Sequence, residues 1–198
     1  MDTVVFQFST TASKPFFWTG WNNRASYIIR CMGHSPFSHM DLVLADGTLL
    51  GASDSPNAPV IRGNPGGVAI RPFDYQEFGL RRQMILRTDY ADKIIEFCLA
   101  QVGKPFDSSA LWNFLSPSLP GVRDWRDPAV WYCSEMFVCA VENSGYFFHI
   151  LGKNKLPWPK DRASPTDFLM IFMLDENWVN RDTFWQQIPG LKLDKWER

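Results

Sequence analysis

Residues Trp131-Tyr132-Cys133-Ser134-Glu135-Met136-Phe137-Val138-Cys139-Ala140 constrain the fold of this chain more than any other stretch, because they prescribe an abrupt helix start with a thiol on its first turn. Asp127-Pro128 and the two aromatics before the cysteine oppose a helix. Residues 134–143 lack Pro and Gly and carry apolar side chains at helical spacing. Ser144-Gly145 then supplies the stop. A thiol in the first turn faces unpaired backbone N–H groups and the positive end of the helix dipole, which favours thiolate over thiol. Cys133 is therefore a candidate nucleophile. The competing reading is a small buried hydrophobe, the ordinary condition of a cysteine in an intracellular protein.

With 198 residues and 45% hydrophobic content, the chain is long enough for one well-buried core and short for two, so a single domain over residues 1–198 is expected, with an aromatic tail at 177–198. A net charge of -1 implies no basic face, which removes the electrostatic support for nucleic-acid binding. Met1-Asp2-Thr3-Val4 lacks the charged and apolar regions of a signal peptide, and no apolar run approaches transmembrane length, so a cytoplasmic chain with no integral membrane segment is expected. Cys31, Cys98, Cys133 and Cys139 are sparse, unlike a disulfide framework, and are expected to be reduced. Cys133 and Cys139 fall on opposite sides of one helix, and no zinc-type spacing occurs, so neither a metal nor a cofactor is called for. The nine Trp and sixteen Phe suit a core, a groove lining or a partner surface.

In chain order, residues 4–8 are β-branched and aromatic and suit an opening strand, with a polar loop at 9–13. Residues 18–32 have the spacing of an amphipathic helix ending near Gly33. After Pro36 a strand begins at His39 and runs to Leu44. Asp46-Gly47 is a hairpin signal, and residues 49–52 return antiparallel. Residues 53–67 form a Pro- and Gly-rich loop, followed by strands at 67–71 and 83–87 and a helix at 90–102 whose apolar face includes Cys98. A Trp- and Pro-rich connection at 111–127 leads to the cysteine helix. Ser164-Pro165-Thr166-Asp167 has the form of a capped helical turn, and 169–174 an apolar strand. The 53–67 loop and the 112–127 connection are expected to border a cleft, since one follows the histidine hairpin and the other precedes the cysteine helix.

A thiol nucleophile needs a base and a place for the developing oxyanion. Of the three histidines, His34 lies in a Gly-His-Ser-Pro turn and His149 in an aromatic run, whereas His39 opens a strand between Ser38 and Asp41. His39 is the best placed to act as base. Its alternative is a surface polar residue at a strand end.

The stretch Phe97-Cys98-Leu99-Ala100-Gln101-Val102-Gly103-Lys104-Pro105-Phe106, with Trp112 and then Tyr132-Cys133-Ser134-Glu135, resembles the helix-Gly-Lys-Pro-aromatic and Cys-Ser pattern of NlpC-type papain-like hydrolases. Ser38-His39-Met40-Asp41-Leu42-Val43-Leu44 and its Asp-Gly turn resemble the histidine hairpin of the same family. Here the histidine precedes the cysteine, as in the circularly permuted branch that includes YiiX/YebB-like proteins and lecithin:retinol acyltransferase-like enzymes. The resemblance covers about residues 35–170. It implies an α+β fold with an antiparallel sheet against the cysteine helix. It also implies cleavage of an amide, including a cell-wall peptide, or of an acyl bond, through a Cys133 thioester. Tyr132, Trp112 and Glu135 are the candidate substrate contacts. Trp112 would line an apolar groove, and Glu135 would meet a substrate amine or form a structural ion pair. A catalytically silent binding or structural module on the same fold is the alternative.

One position departs from the resemblance. Family members carry, about twelve residues after the histidine, a polar side chain that accepts from the imidazole, and that position here is Gly51. Two carboxylates offer a replacement. Asp41 lies two residues beyond His39, on the same face of a regular strand. A two-residue Asp46-Gly47 turn would instead bring Asp54 opposite His39. Asp41 also has a plainer reading, in which it caps a loop or meets Arg62 or Arg71.

Overall fold

The computed structural model describes residues 2–11, 26, 29–31, 36–108, 129–152 and 164–172. Six strands are defined among them: β1 (Asp2–Thr11), β2 (His39–Val43), β3 (Leu49–Ala52), β4 (Arg62–Gly63), β5 (Val68–Arg71) and β6 (Phe78–Thr88). They form one antiparallel sheet in the order β4-β5-β3-β2-β1-β6. Four helices follow: α1 (Ala91–Ala100), α2 (Cys133–Ser144), α3 (Tyr146–Leu151) and α4 (Pro165–Phe172). The chain is thus of the α+β class. Ser26 and residues 29–31 are helical, as their spacing predicts, while Trp18, Trp21, Gly33, the 111–127 connection, the 153–162 segment and the 177–198 tail lie outside the described residues.

Alternation along β1 sorts the sheet into two faces. Phe6 and Phe8 are fully buried, and with Met40, Leu42, Leu50, Met84 and Leu86 they meet the helices. The Phe6 ring packs edge-on against Phe137 of α2 at 5.5 Å and Phe168 of α4 at 5.0 Å between centroids. Each such ring contributes roughly 2 kcal/mol by burial. This fixes which side of β1 faces inward, since a one-residue slip would reverse every side chain. Gln7 and Ser9, which alternate with Phe6 and Phe8, therefore share a face with their cross-strand partners Asp41 and His39.

Three local expectations are corrected. β1 continues through Thr11 instead of ending in a loop at Ser9, because it is paired on both sides, Ser9 with His39 and with Arg81. Residues 169–172 are helical: Ser164 and Asp167 form a reciprocal cap, with the Ser164 N–H donating to Asp167 Oδ2 (2.9 Å) and the Asp167 N–H to Ser164 Oγ (3.1 Å). That start carries α4 on to Phe172. The β2–β3 turn is longer than two residues. The Gly47 N–H donates to Leu44 O and the Leu44 N–H to Thr48 O, each at 2.9 Å, with Gly47 left-handed at φ 80°. The resulting loop is Ala45-Asp46-Gly47, and the pairs are Val43 with Leu49 and Leu42 with Leu50.

The cysteine helix is placed by a strut. Residues 103–107 run between β5 and the residue before Tyr132: the Val68 N–H donates to Lys104 O (2.8 Å), the Trp131 N–H to Pro105 O (3.1 Å), and the Asp107 N–H to Trp131 O (3.0 Å). Gln101 Oε1 accepts from Lys104 Nζ (2.6 Å) and Trp131 Nε1 (3.1 Å), locking the indole to the end of α1. The Gln-x-Gly-Lys-Pro segment thereby acquires a physical role. Among the described residues no helix is long and apolar enough to cross a membrane.

Candidate active site

Cys133 is the first residue of α2. Its predecessor Tyr132 is extended (φ -102°, ψ 167°) and makes no side-chain cap, so the helix start is left open to an anion. Gly145, left-handed at φ 91°, ends the helix where the Ser144-Gly145 pair predicts. The Cys133 side chain is buried, with Sγ 4.0 Å from Ser38 O, the residue immediately before β2.

His39 opens β2. Its Nε2 lies 3.0 Å from Asp41 Oδ1 and 3.0 Å from the Tyr75 hydroxyl, and its side chain is close enough to Cys133 for the two to interact. With Nε2 engaged by Asp41 and Tyr75, Nδ1 is the nitrogen left for the thiol. Burial pulls the His39 pKa down, but the charge and hydrogen bond of Asp41, helped by Cys133, outweigh it and hold the imidazole at about 10. The imidazolium is accordingly the resting form at neutral pH.

Asp41 is fully buried and on the face its two-residue spacing predicts. It bonds His39 instead of capping a loop. Arg71 lies near enough for the two charges to interact, yet its guanidinium donates to backbone carbonyls: NH1 to Gly51 O (2.9 Å), NH2 to Gly67 O (2.9 Å) and Pro65 O (3.1 Å). Burial depresses the Arg71 pKa, and Tyr75 and Asp41 partly restore it.

Asp54 is displaced from this group. The three-residue turn shifts the register by one, so counting outward from Leu42 and Leu50 brings residue 53, not Asp54, opposite His39. Asp54 itself lies beyond the end of β3 at Ala52. Its carboxyl is half-buried, which raises its pKa.

The candidate substrate contacts are arranged differently from one another. Tyr132 is fully buried, packs with Cys133 and Phe106, and accepts from Ser134 Oγ (2.9 Å). Glu135 is also buried, at 2% exposure, so neither side chain lies on an open surface. Trp112 lies outside the described residues. The expected 53–67 loop is closed at its ends by the Ser53 N–H on Gly67 O and is interrupted by β4, where the Ile61 N–H donates to Ile70 O.

Sequence reasoning missed Tyr75. It is buried in the turn after β5, with its N–H donating to Pro72 O (3.1 Å). Its hydroxyl meets His39 Nε2 and, at 3.5 Å, donates to Asp41 Oδ2. Burial and the Asp41 charge raise its pKa well above the usual phenol value, so it is neutral. The only sequence signal was a Pro-initiated turn directly after a buried strand. Among the described residues no group of three or more His, Cys, Asp or Glu side chains is placed to hold a metal ion. Compared with known proteins, the chain is matched by no protein-family model and by no curated protein.

Proposed function

We propose that this chain is a cysteine hydrolase of the circularly permuted NlpC type, cleaving an amide or acyl bond through a thioester on Cys133. The observation that carries the reading is the chain of contacts Cys133–His39–Asp41, with the thiol on the first turn of α2 and the carboxylate on the far nitrogen of the imidazole. The resemblance of the Gly-Lys-Pro-Phe, Tyr-Cys-Ser-Glu and Ser-His-x-Asp segments to that family supports it further.

The chemistry follows from the arrangement. The proton shared between Cys133 and His39 rests on the imidazole, and the Cys133 thiolate beside this imidazolium attacks the substrate carbonyl carbon. The carbonyl electrons move to oxygen, which accepts from the Cys133 backbone N–H at the open helix start. Collapse expels the amine or alcohol, which takes the proton from His39, and leaves the thioester. Water then attacks this ester with His39 as base, releasing the acid and restoring the thiol. Asp41 keeps the ring oriented and stabilises its charged form.

The test is a turnover screen of peptidoglycan fragments against acyl esters and acyl amides, with Cys133→Ala and His39→Ala as controls. Turnover lost in both variants supports the reading. A chain that turns over none of these classes, and whose Cys133 reacts no faster than Cys98 toward iodoacetamide, is the silent binding module instead.

A further inference from the structure

Nε2 of His39 has two partners where orientation needs one. The second, the Tyr75 hydroxyl, stands at the same 3.0 Å as the Asp41 oxygen. We infer that Tyr75 is a positioning residue for the proposed hydrolase, forming with Asp41 a two-point clamp on His39 Nε2 that fixes the ring against Cys133. The inference rests on the hydrolase reading for its catalytic meaning and on geometry alone for the clamp.

Tyr75 is delivered to the site by a braced loop. Arg81 of β6 donates from NH2 to Phe73 O (3.1 Å) and Asp74 Oδ1 (2.9 Å), and its guanidinium lies over the Phe73 and Phe78 rings at 4.2 and 4.0 Å. From the other side, Arg71 of β5 lies over the Tyr75 ring at 5.3 Å. The ring is also edge-on to Phe78. Two arginines from two strands therefore hold a loop whose one fully inserted polar group is the Tyr75 hydroxyl. A turn needed only to connect β5 to β6 requires none of this.

The proton arrangement assigns each atom a role. Asp41 accepts the Nε2–H on Oδ1 and the Tyr75 O–H on Oδ2, while the phenol oxygen is the second acceptor for Nε2–H. The 3.0 Å contact is a full hydrogen bond, whereas 3.5 Å is at the weak limit. The net effect of the phenol on His39 is thus that of an acceptor, which favours the imidazolium. The titratable or charged groups around His39 are Asp41 on its own strand, Tyr75 and Arg71 beside them, Cys133 from α2, and Arg81 across Ser9.

The experiment is an NMR titration of the full chain labelled with 15N-histidine, with the His39 signals assigned through His39→Gln. Tyr75→Phe keeps the ring and removes the hydroxyl. Replacement of Tyr75 by 3-fluorotyrosine keeps both and weakens the oxygen as an acceptor, which guards against a folding defect in the phenylalanine variant. The His39 midpoint should fall by about one pH unit in Tyr75→Phe, the size of one hydrogen bond to a charged group, and by less in the fluorinated protein. Unchanged midpoints in both proteins overturn the clamp. In parallel, iodoacetamide labelling of Cys133 near pH 6 is measured on the unsubstituted chain. Absent labelling sinks the hydrolase reading, while the titration still decides whether Tyr75 holds His39.

Discussion

Gly51 and Asp41 occupy one place on the sheet: a Cβ on Gly51 would overlap Oδ1 of Asp41, the oxygen that holds His39. Under the proposed NlpC-type reading Gly51 stands where an orienting side chain would be, and the Asp41 carboxylate from the neighbouring strand takes up that space. Glycine on β3 is thus the condition for an acid on β2. Gly51→Ala should push the Asp41 carboxylate off Nε2, with Met40 O, 3.2 Å from the added carbon, limiting relief by backbone movement. A displacement of about 1 Å in such an array costs about 100-fold in turnover. The variant should stay folded by circular dichroism while Cys133 labelling near pH 6 falls. Labelling equal to that of the unsubstituted chain would show that Asp41 does not need the vacated space.

Asp41→Asn tests the carboxylate through pH. In the unsubstituted chain burial opposes the charge on His39 and Asp41 overcomes it, giving a folded value of about 10 against about 6.5 in the unfolded chain. Because the folded value is the higher, this stabilisation is complete below about pH 6.5 and is lost as pH rises through about 10. The urea midpoint should therefore decline between pH 7 and 10, and Asp41→Asn should flatten that decline. With the acid gone, burial prevails and His39 is neutral at pH 8. Turnover should fall by orders of magnitude, on the scale of about 10⁴ seen when a serine-protease triad loses its Asp. Asp54→Asn, in a residue past the end of β3 and off the pairing that places Asp41 beside His39, should change turnover less than about threefold. The opposite ranking of the two variants would return the orienting role to Asp54.

The pair of readings for Asp41 and Asp54 shows what the sequence contains. The helix at Cys133 is legible because its breakers, spacing and stop are all local, and Asp41 is legible because a period of two needs only a regular strand. Asp54 fails because an Asp-Gly pair is compatible with a two-residue turn and with a three-residue turn ending in left-handed Gly47, and the choice moves every distal pair by one. Residues 169–172 fail because a short apolar run fits strand and helix alike, and the Ser164–Asp167 cap decides it. Tyr75 is 36 residues from His39 in sequence and reaches it only through the packing of Arg71 and Arg81, for which no local pattern exists.

Thiol reactivity should separate the four cysteines by environment. Cys31 is exposed, Cys98 and Cys139 are buried in the core, and burial with neighbouring Cys139 pushes the Cys98 thiol pKa far up. Cys133 has an imidazolium beside it. Iodoacetamide near pH 6, read by peptide mass spectrometry on the folded chain, should modify Cys133 first and at least about tenfold faster than Cys31. His39→Ala should abolish the advantage. If another cysteine leads, or the His39 variant labels as before, Cys133 is not an activated nucleophile.

The strut at 103–107 makes a prediction with its control built in. Gly66 and Gly67 are adjacent, and a Cβ on Gly66 meets nothing within 4 Å, whereas one on Gly67 would overlap Lys104 O and lie 2.8 Å from Pro105 Cα. The two alanine variants share one chemical change and differ in the space that receives it. Gly67→Ala must pry the strut from β5, weakening the Val68 N–H bond to Lys104 O, and it should cost about 1–3 kcal/mol of stability as an overpacked core does. The displacement is passed on, since Pro105 O and the Asp107 N–H hold both backbone groups of Trp131, two residues before the thiol. Cys133 labelling should fall in Gly67→Ala under conditions where the variant is still folded, and Gly66→Ala should match the unsubstituted chain in both measurements. Were the two variants equally stable and equally reactive, the contact between β5 and the strut would not set the position of the cysteine helix.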